Sequence, residues 1–179
     1  MSKKEVWVYA DWEGMVQPKC IHFASAMTMT GNNEDTLKEH TASYLELAEF
    51  IQFSGGNIKA DLWQLWRRLI FNIAVSNTDD HLRNHGFLLT EKGWHLSPAY
   101  DLNPSVEKNG LSLNIDMDDN TLDFDLAKSV GEYFQLTLVE MNQILREVQQ
   151  VVKQWRLLAN QLKIPRSEQK MMDAAFKIH

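Results

Sequence analysis

A charged stretch, Ser76-Asn77-Thr78-Asp79-Asp80-His81-Leu82-Arg83-Asn84-His85-Gly86, lies between two apolar segments. Leu69-Ile70-Phe71-Asn72-Ile73-Ala74-Val75 precedes it and Phe87-Leu88-Leu89 follows. Any fold must bury both flanks and still leave the polar stretch at an edge. A short polar loop held between buried elements is positioned by a rigid scaffold, and chemistry concentrates in such places.

The flanking pattern says what the scaffold is. Leu62, Leu65, Trp66, Leu69, Ile70 and Ile73 recur at helical spacing and make a wide apolar stripe. Asp61 is placed to cap that helix, and Arg67 and Arg68 fall off the stripe. Upstream, the spacing predicts a helix over Thr41 to Phe53, with Tyr44, Leu47, Ala48 and Ile51 on one face. Ser43 or Thr41 caps it and Gly55-Gly56 ends it. Downstream, Phe87 to Thr90 and Trp94 to Leu96 read as a hairpin around Glu91-Lys92-Gly93, with a positive φ at Gly93. Leu111 to Ile115 alternates like a further strand.

The rest reads as helix. A short helix is expected over Phe124 to Phe134, and a long one opens at Thr137 with Glu140 completing a capping box. Its expected apolar face runs from Met141 through Ile144, Leu145, Val148, Val151, Val152 and Trp155 to Leu158. A last helix follows Pro165, from Ser167 through Phe176. At the other end, Val6 to Ala10 reads as a strand whose partner the pattern does not identify, and Asp11 to Gly14 as a turn. Ser25 to Thr30 reads as buried coil. The order of elements is α+β, dominated by helix.

Composition narrows the function classes. A chain of 179 residues with 44% hydrophobic and 23% charged residues suits a globular domain. A formal charge of −6 disfavours a protein that grips nucleic acid by itself. One cysteine, Cys20, cannot form an intramolecular disulfide. The first residues show no signal-peptide pattern and no apolar run is long enough to span a bilayer, so a cytoplasmic location is expected.

Spacing within the polar stretch suggests chemistry. Asp79 and Asn84 are five apart, and Asp101 lies 22 residues beyond Asp79, across the hairpin. Protein kinases use D-x-x-x-x-N with a later metal-binding Asp, for proton acceptance and magnesium ligation. A solvated helix-exit loop has the same composition, because Asp and Asn bond to nearby backbone amides. Both readings stay open on spacing alone. His81 is expected as a buried hydrogen-bonded anchor, with His85 exposed and Arg83 solvated. Asp116, Asp118 and Asn120 resemble the start of a calcium loop, but Thr121 and Ala127 stand where Gly and Glu are needed, which excludes it.

Taken with Trp94-His95-Leu96-Ser97-Pro98-Ala99-Tyr100-Asp101-Leu102-Asn103-Pro104, the stretch from Ser76 to Leu88 resembles the C-terminal catalytic lobe of the HipA family, bacterial serine/threonine kinases that act as toxins of toxin–antitoxin modules. The resemblance covers most of residues 21–164 and is strongest over 66–104, and Val6 to Gly14 resembles the start of HipA proteins. It implies a mainly helical, protein-kinase-like C-lobe with a small catalytic β-hairpin. It implies Asp79 as catalytic base, and Asn84 and Asp101 as ligands of Mg²⁺ serving ATP. Asn103 is expected to take the left-handed conformation that Gly supplies after the metal-binding Asp in other kinases. A HipB-like helix-turn-helix antitoxin is the implied partner, with DNA reached only through it.

One departure qualifies this. Residues 15–20 stand where HipA proteins carry the phosphate-covering loop and the nucleotide-binding lysine, and Lys19 adjoins that join. The chain therefore divides into 1–20, a remnant of the N-terminal strand segment, and 21–179, a HipA-like C-lobe. It reads as a truncated HipA-like kinase with weak or no independent activity. The alternatives are a non-catalytic module that binds an antitoxin or a separate N-lobe, and a metal-dependent phosphohydrolase using Asp79, Asp80, His81 and Asp101.

Overall fold

In the computed structural model, residues 6–7, 20–39, 41–107 and 109–177 are described, with the backbone alone at 6, 7, 20, 38 and 39. The rest of the expected first strand, the turn at 11–14 and Lys19 lie outside the described residues. β1 (Val6–Trp7) pairs antiparallel with β2 (Cys20–Ile21), which supplies the partner that the sequence pattern did not identify. β3 (Phe23–Ser25), β4 (Gly86–Thr90) and β5 (Gly93–Leu96) form a second antiparallel sheet with β4 in the middle. Gly93 has φ 121°, as the hairpin spacing required. A Cβ there would also lie 3.0 Å from the Ser54 carbonyl.

Between β3 and β4 come α1 (Ala26–Met29), α2 (Thr36–Glu39), α3 (Tyr44–Ser54) and α4 (Ile58–Ala74). The segment expected as coil is α1, one turn in which the Ser25 hydroxyl accepts from the Thr28 amide. Ser43 and Glu46 form a capping box on α3, and Tyr44, Leu47, Ala48 and Ile51 are buried, as expected. The helix exit rests on the hairpin, where the Gly56 amide donates to the Trp94 carbonyl at 2.8 Å.

α4 is the centre of the core. Leu62, Leu65, Trp66, Leu69, Ile70 and Ile73 are fully buried, and the helix packs against α3, β5 and the later helical segments Phe124–Ser129 and Leu138–Val152. Two expectations about it are corrected. The N-cap is Asn57, one turn before Asp61; Asp61 is buried inside the helix, 3.4 Å from His95 on β5. Burial pushes its carboxyl above the usual range, opposed by His95. Arg68 is buried too, because the 97–104 segment folds over that side of the helix.

The second half departs further from the expected pattern. Leu111, Leu113 and Ile115 point inward, but no strand forms. The Asn114 backbone bonds instead to Ala42 and Tyr44 at the entry to α3. The expected short helix divides into α5 (Phe124–Ser129), capped by Asp123, and a 3₁₀ turn Gly131–Phe134. Gly131 sits so close to Met141 that a Cβ would lie 2.0 Å from its sulfur.

α6 (Leu138–Val152) opens with the expected Thr137–Glu140 capping box. Its Met141, Ile144, Val148 and Val152 are buried. The apolar face does not continue to Leu158. The helix stops at Val152 and α7 (Trp155–Gln161) starts on a new axis, which leaves Val151 and Leu158 exposed. α8 (Arg166–Met171) and a 3₁₀ turn Asp173–Ala175 replace the single last helix. The tail returns to the core where the Lys177 amide bonds the Ala74 carbonyl at 2.7 Å. The architecture is α+β, mainly helical, with a small antiparallel sheet.

Gly93 joins the hairpin to the α3 exit. Gly93→Ala should lower stability by about 2 kcal/mol, the order expected for a side chain forced to positive φ. A shift in the urea midpoint at constant slope measures it.

Candidate active site

The polar stretch begins at the end of α4. Ser76 takes a left-handed conformation, φ 51°, at the position where helices commonly place glycine. Its amide bonds the Ile73 carbonyl at 3.2 Å, and the Asn77 amide bonds the Asn72 carbonyl at 2.8 Å. The two bonds close a Schellman arrangement and turn the chain sharply back. The cost is visible: the Ser76 hydroxyl is buried with no hydrogen-bond partner.

The turn delivers Asp80 into the interior, where it is fully buried. Its carboxylate accepts a hydrogen bond from the Tyr44 hydroxyl of α3. His85 Nε2 lies 3.0 and 3.2 Å from its two oxygens. Asn72 donates to the Tyr44 oxygen at 2.9 Å, and Asn77 donates to Asn72 Oδ1 at 3.1 Å. Asn77 also reaches the backbone carbonyl of Asp101 at 3.4 Å. One buried chain of hydrogen bonds thus runs from the end of β5's following loop, through α4 and α3, to the start of β4. Burial, with the Asp80 charge second, pushes the Tyr44 phenol well above its usual range, so it stays a donor.

The same loop leaves Asp79 facing out while Asn84 stays buried. Asp79 is exposed next to buried Asp80. Asn84, in a 3₁₀ turn Leu82–Asn84, donates through Nδ2 to the Asp79 carbonyl at 3.1 Å. Asp101 is exposed, and Asn103 Nδ2 donates to its Oδ1 at 2.6 Å. The Tyr100 hydroxyl donates to the Arg83 carbonyl at 2.8 Å, and Ser112 to the Thr78 carbonyl at 2.7 Å. The segment carrying Asp101 is therefore bound to the segment carrying Asp79 and Asn84 by Asn77 and Tyr100.

Several expectations change. The two histidines exchange roles: His85 is the buried anchor, and His81 is half-buried with Nδ1 unpartnered. The reason is the 3₁₀ turn between them, which delivers His85 to the first residue before β4, under Tyr44. The positive φ after β5 falls on Asp101 itself, 57°, and not on Asn103. Arg83 is not merely solvated, since it pairs with Glu34 of the loop before α2.

Sequence reasoning missed Tyr44, Arg68 and Asn72. The signal was present: Arg68 and Asn72 are polar residues four apart on one face of α4, beside its apolar stripe. Arg68 donates to the Ser97 carbonyl, fixing the start of the loop that leads to Asp101. Burial lowers its pKa, and the nearby Tyr44 and Asp80 oppose that.

The donor set fits a hard cation. Nδ2 of Asn84 is spent on the Asp79 carbonyl, and its Oδ1 has no hydrogen-bond partner among the described residues. Asp101 keeps one carboxylate oxygen unbonded. One amide oxygen and one carboxylate are what Mg²⁺ takes from proteins when phosphates and waters complete its shell. Among the described residues, no three His, Cys, Asp or Glu side chains converge on a common point.

Comparison with known proteins adds an independent line. The sequence profile of the HipA-like C-terminal domain matches residues 11–155. A chain in the solved complex of the Shewanella oneidensis MR-1 toxin–antitoxin system HipA, HipB and its operator DNA superposes with a TM-score of 0.66 at 18% identity. The superposition covers 93% of this chain and 44% of that one, so the chain spans less than half the length of its structural relative. At this identity the likeness shows the fold. No curated protein matches the sequence.

The buried chain of bonds predicts two opposite stability effects. Tyr44→Phe leaves Asp80 and Asn72 short of a partner and should cost about 1–3 kcal/mol. Ser76→Gly removes both the left-handed strain and the orphaned hydroxyl, and should stabilise by about 1 kcal/mol or more. Thermal or urea unfolding of the two variants against the parent distinguishes the signs.

Proposed function

This chain belongs to the family of HipA-like C-terminal domains, and we propose that it is the catalytic lobe of a HipA-like serine/threonine kinase of a toxin–antitoxin module. One observation carries the reading. Asp79 and Asp101 are exposed while their backbones are held by Asn84 and Asn77, so two carboxylates face outward from one rigid frame beside the buried Asn84 amide.

In this reading Asp79 accepts the proton of the substrate hydroxyl. Asn84 Oδ1 and the free oxygen of Asp101 hold Mg²⁺ against ATP. The metal, when bound, supplies neutralisation of phosphate charge. The positive φ at Asp101 and the bond from Asn103 set the direction of that carboxylate before any ligand arrives, which lowers the cost of reorganisation. Tyr100 and Arg68 hold the loop that carries it.

The phosphate-covering elements come from outside residues 21–179. We assign residues 1–20 to the remnant of an N-terminal strand, and the nucleotide cradle to a separate lobe. A HipB-like antitoxin is the proposed partner, supported by the relative's assembly with HipB and operator DNA. The second reading, a non-catalytic module that binds such a partner, rests on the same relative's assembly with HipB.

The isolated chain should bind ATP–Mg²⁺ weakly in a calorimetric titration. Micromolar affinity abolished by Asp101→Ala shows instead that the chain needs no other lobe. Where phosphoryl transfer is measured, Asp79→Ala should reduce kcat by about 10²–10⁴-fold, the usual range for a general base. Undiminished transfer by a folded Asp79→Ala variant removes Asp79 from the role.

A further inference from the structure

On the outer side of α3 lies a groove of about 550 Å³, lined by Leu45, Glu46, Glu49, Phe53, Met117 and Tyr133 among others. Three of these are large apolar side chains left in solvent: Phe53 is 84% exposed, Met117 73% and Tyr133 58%. They come from separate parts of the chain, namely the last turn of α3, the acidic loop after Ile115 and the 3₁₀ turn Gly131–Phe134. Aromatic and methionine side chains grouped in this way are typical of the contact centre of protein interfaces.

The groove is built rather than accidental. Gln52 of α3 donates to the Tyr133 carbonyl at 2.9 Å, which closes one end. Asn114 donates through Nδ2 to the Met117 carbonyl at 3.0 Å, and its backbone is bonded on both sides to Ala42 and Tyr44 at 2.9 Å. Asp116 Oδ1 accepts from the amides of Asp118 and Asp119. Each exposed apolar group is thus mounted on a fixed backbone, so docking there costs little ordering entropy.

Charge decides what would dock. Among the described residues, Glu46 and Glu49 line the groove and no basic side chain does. Between Asn114 and Gln135 the chain carries Asp116, Asp118, Asp119, Asp123, Asp125 and Glu132 against the single Lys128. That lysine is paired with Asp125 at 3.0 Å. Glu49 has no ion-pair partner among the described residues. The apolar groups alone leave the occupant open, but the excess of carboxylates does not. It repels nucleic acid and acidic peptides, and attracts Lys or Arg. The face of Tyr133 or Phe53 offers such a cation a second favourable contact.

We propose that this groove docks a basic, partly apolar peptide segment of a protein partner. An apolar side chain of that segment sits between Phe53 and Met117, and a Lys or Arg beside it meets Glu49. The proposal does not depend on phosphoryl transfer.

The test uses two synthetic peptides of equal length, one of Lys and Leu and one of Glu and Leu, titrated into the full chain by fluorescence anisotropy. The Lys peptide should bind, more weakly in high salt, and the Glu peptide should not. Phe53→Ala and Glu49→Lys should each weaken binding about tenfold or more, the loss expected of a contact residue. Both side chains are exposed, so the unfolding temperature should not move. NMR shift changes should centre on Phe53, Met117 and Tyr133. Four outcomes overturn the proposal: no binding, equal binding of both peptides, binding unaffected by Phe53→Ala, or shift changes elsewhere on the acidic surface. A concentration-dependent dimer in sedimentation that Phe53→Ala abolishes also overturns it, because the occupant is then a second copy.

Discussion

The carboxylate of Asp80 is buried completely, and much of the molecule is arranged so that it can be. A charged group away from water is tolerated only when its oxygens are bonded. Tyr44 and His85 supply those bonds from α3 and from the residue before β4. Asn72 then bonds the Tyr44 oxygen, and Asn77 bonds Asn72. Tyr44, Asn72 and Asn77 are themselves buried, so the requirement spreads across α3, α4 and the loop, and His85 carries it to the sheet with its Nδ1 left unpartnered. The Ala26 amide on the His85 carbonyl, at 2.9 Å, extends it to α1.

Rigidity at Asp80 is what allows exposure at its neighbours. Asp79 and Asp80 are adjacent, yet one faces solvent and the other the core. A flexible loop turns such residues in and out; here the inward residue is fixed, so the outward one is aimed. The strained backbone at Ser76 and Asp101 brackets the same region. Strain of this kind persists where surrounding contacts over-determine the geometry. The helix end, the Asn77 bonds and the Tyr100 bond provide those contacts.

α3 serves two surfaces at once. Tyr44 at its start points inward to Asp80, while Glu49 and Phe53 on its other side face the acidic groove. Asn114 joins the two, because its backbone fixes the α3 entry and its side chain fixes Met117. The helix that orders the candidate active site is therefore also the floor of the proposed docking groove.

Local pattern was enough for much of this. The buried stripe of α4, the capping boxes at Ser43 and Thr137, the hairpin and the positive φ of Gly93 all follow from residues near one another in sequence. So does the nomination of Asp79, Asn84 and Asp101, which rests on spacing and resemblance. Where sequence reasoning failed, the deciding contact was distant. Asp61 became an interior residue because His95 faces it. Leu111 to Ile115 kept its alternation but lost its strand because Asn114 bonds to the α3 entry. His85 became the anchor in place of His81 because Tyr44, 41 residues earlier, lies above it. The sequence by itself determined the elements around the site, α3, α4 and the hairpin, and which polar residues gather in one loop, since these depend on periodicity and turn chemistry. Only the tertiary structure decided which of those polar residues is buried and which is presented. That choice belongs to hydrogen bonds between residues far apart in the chain, and no local pattern encodes it.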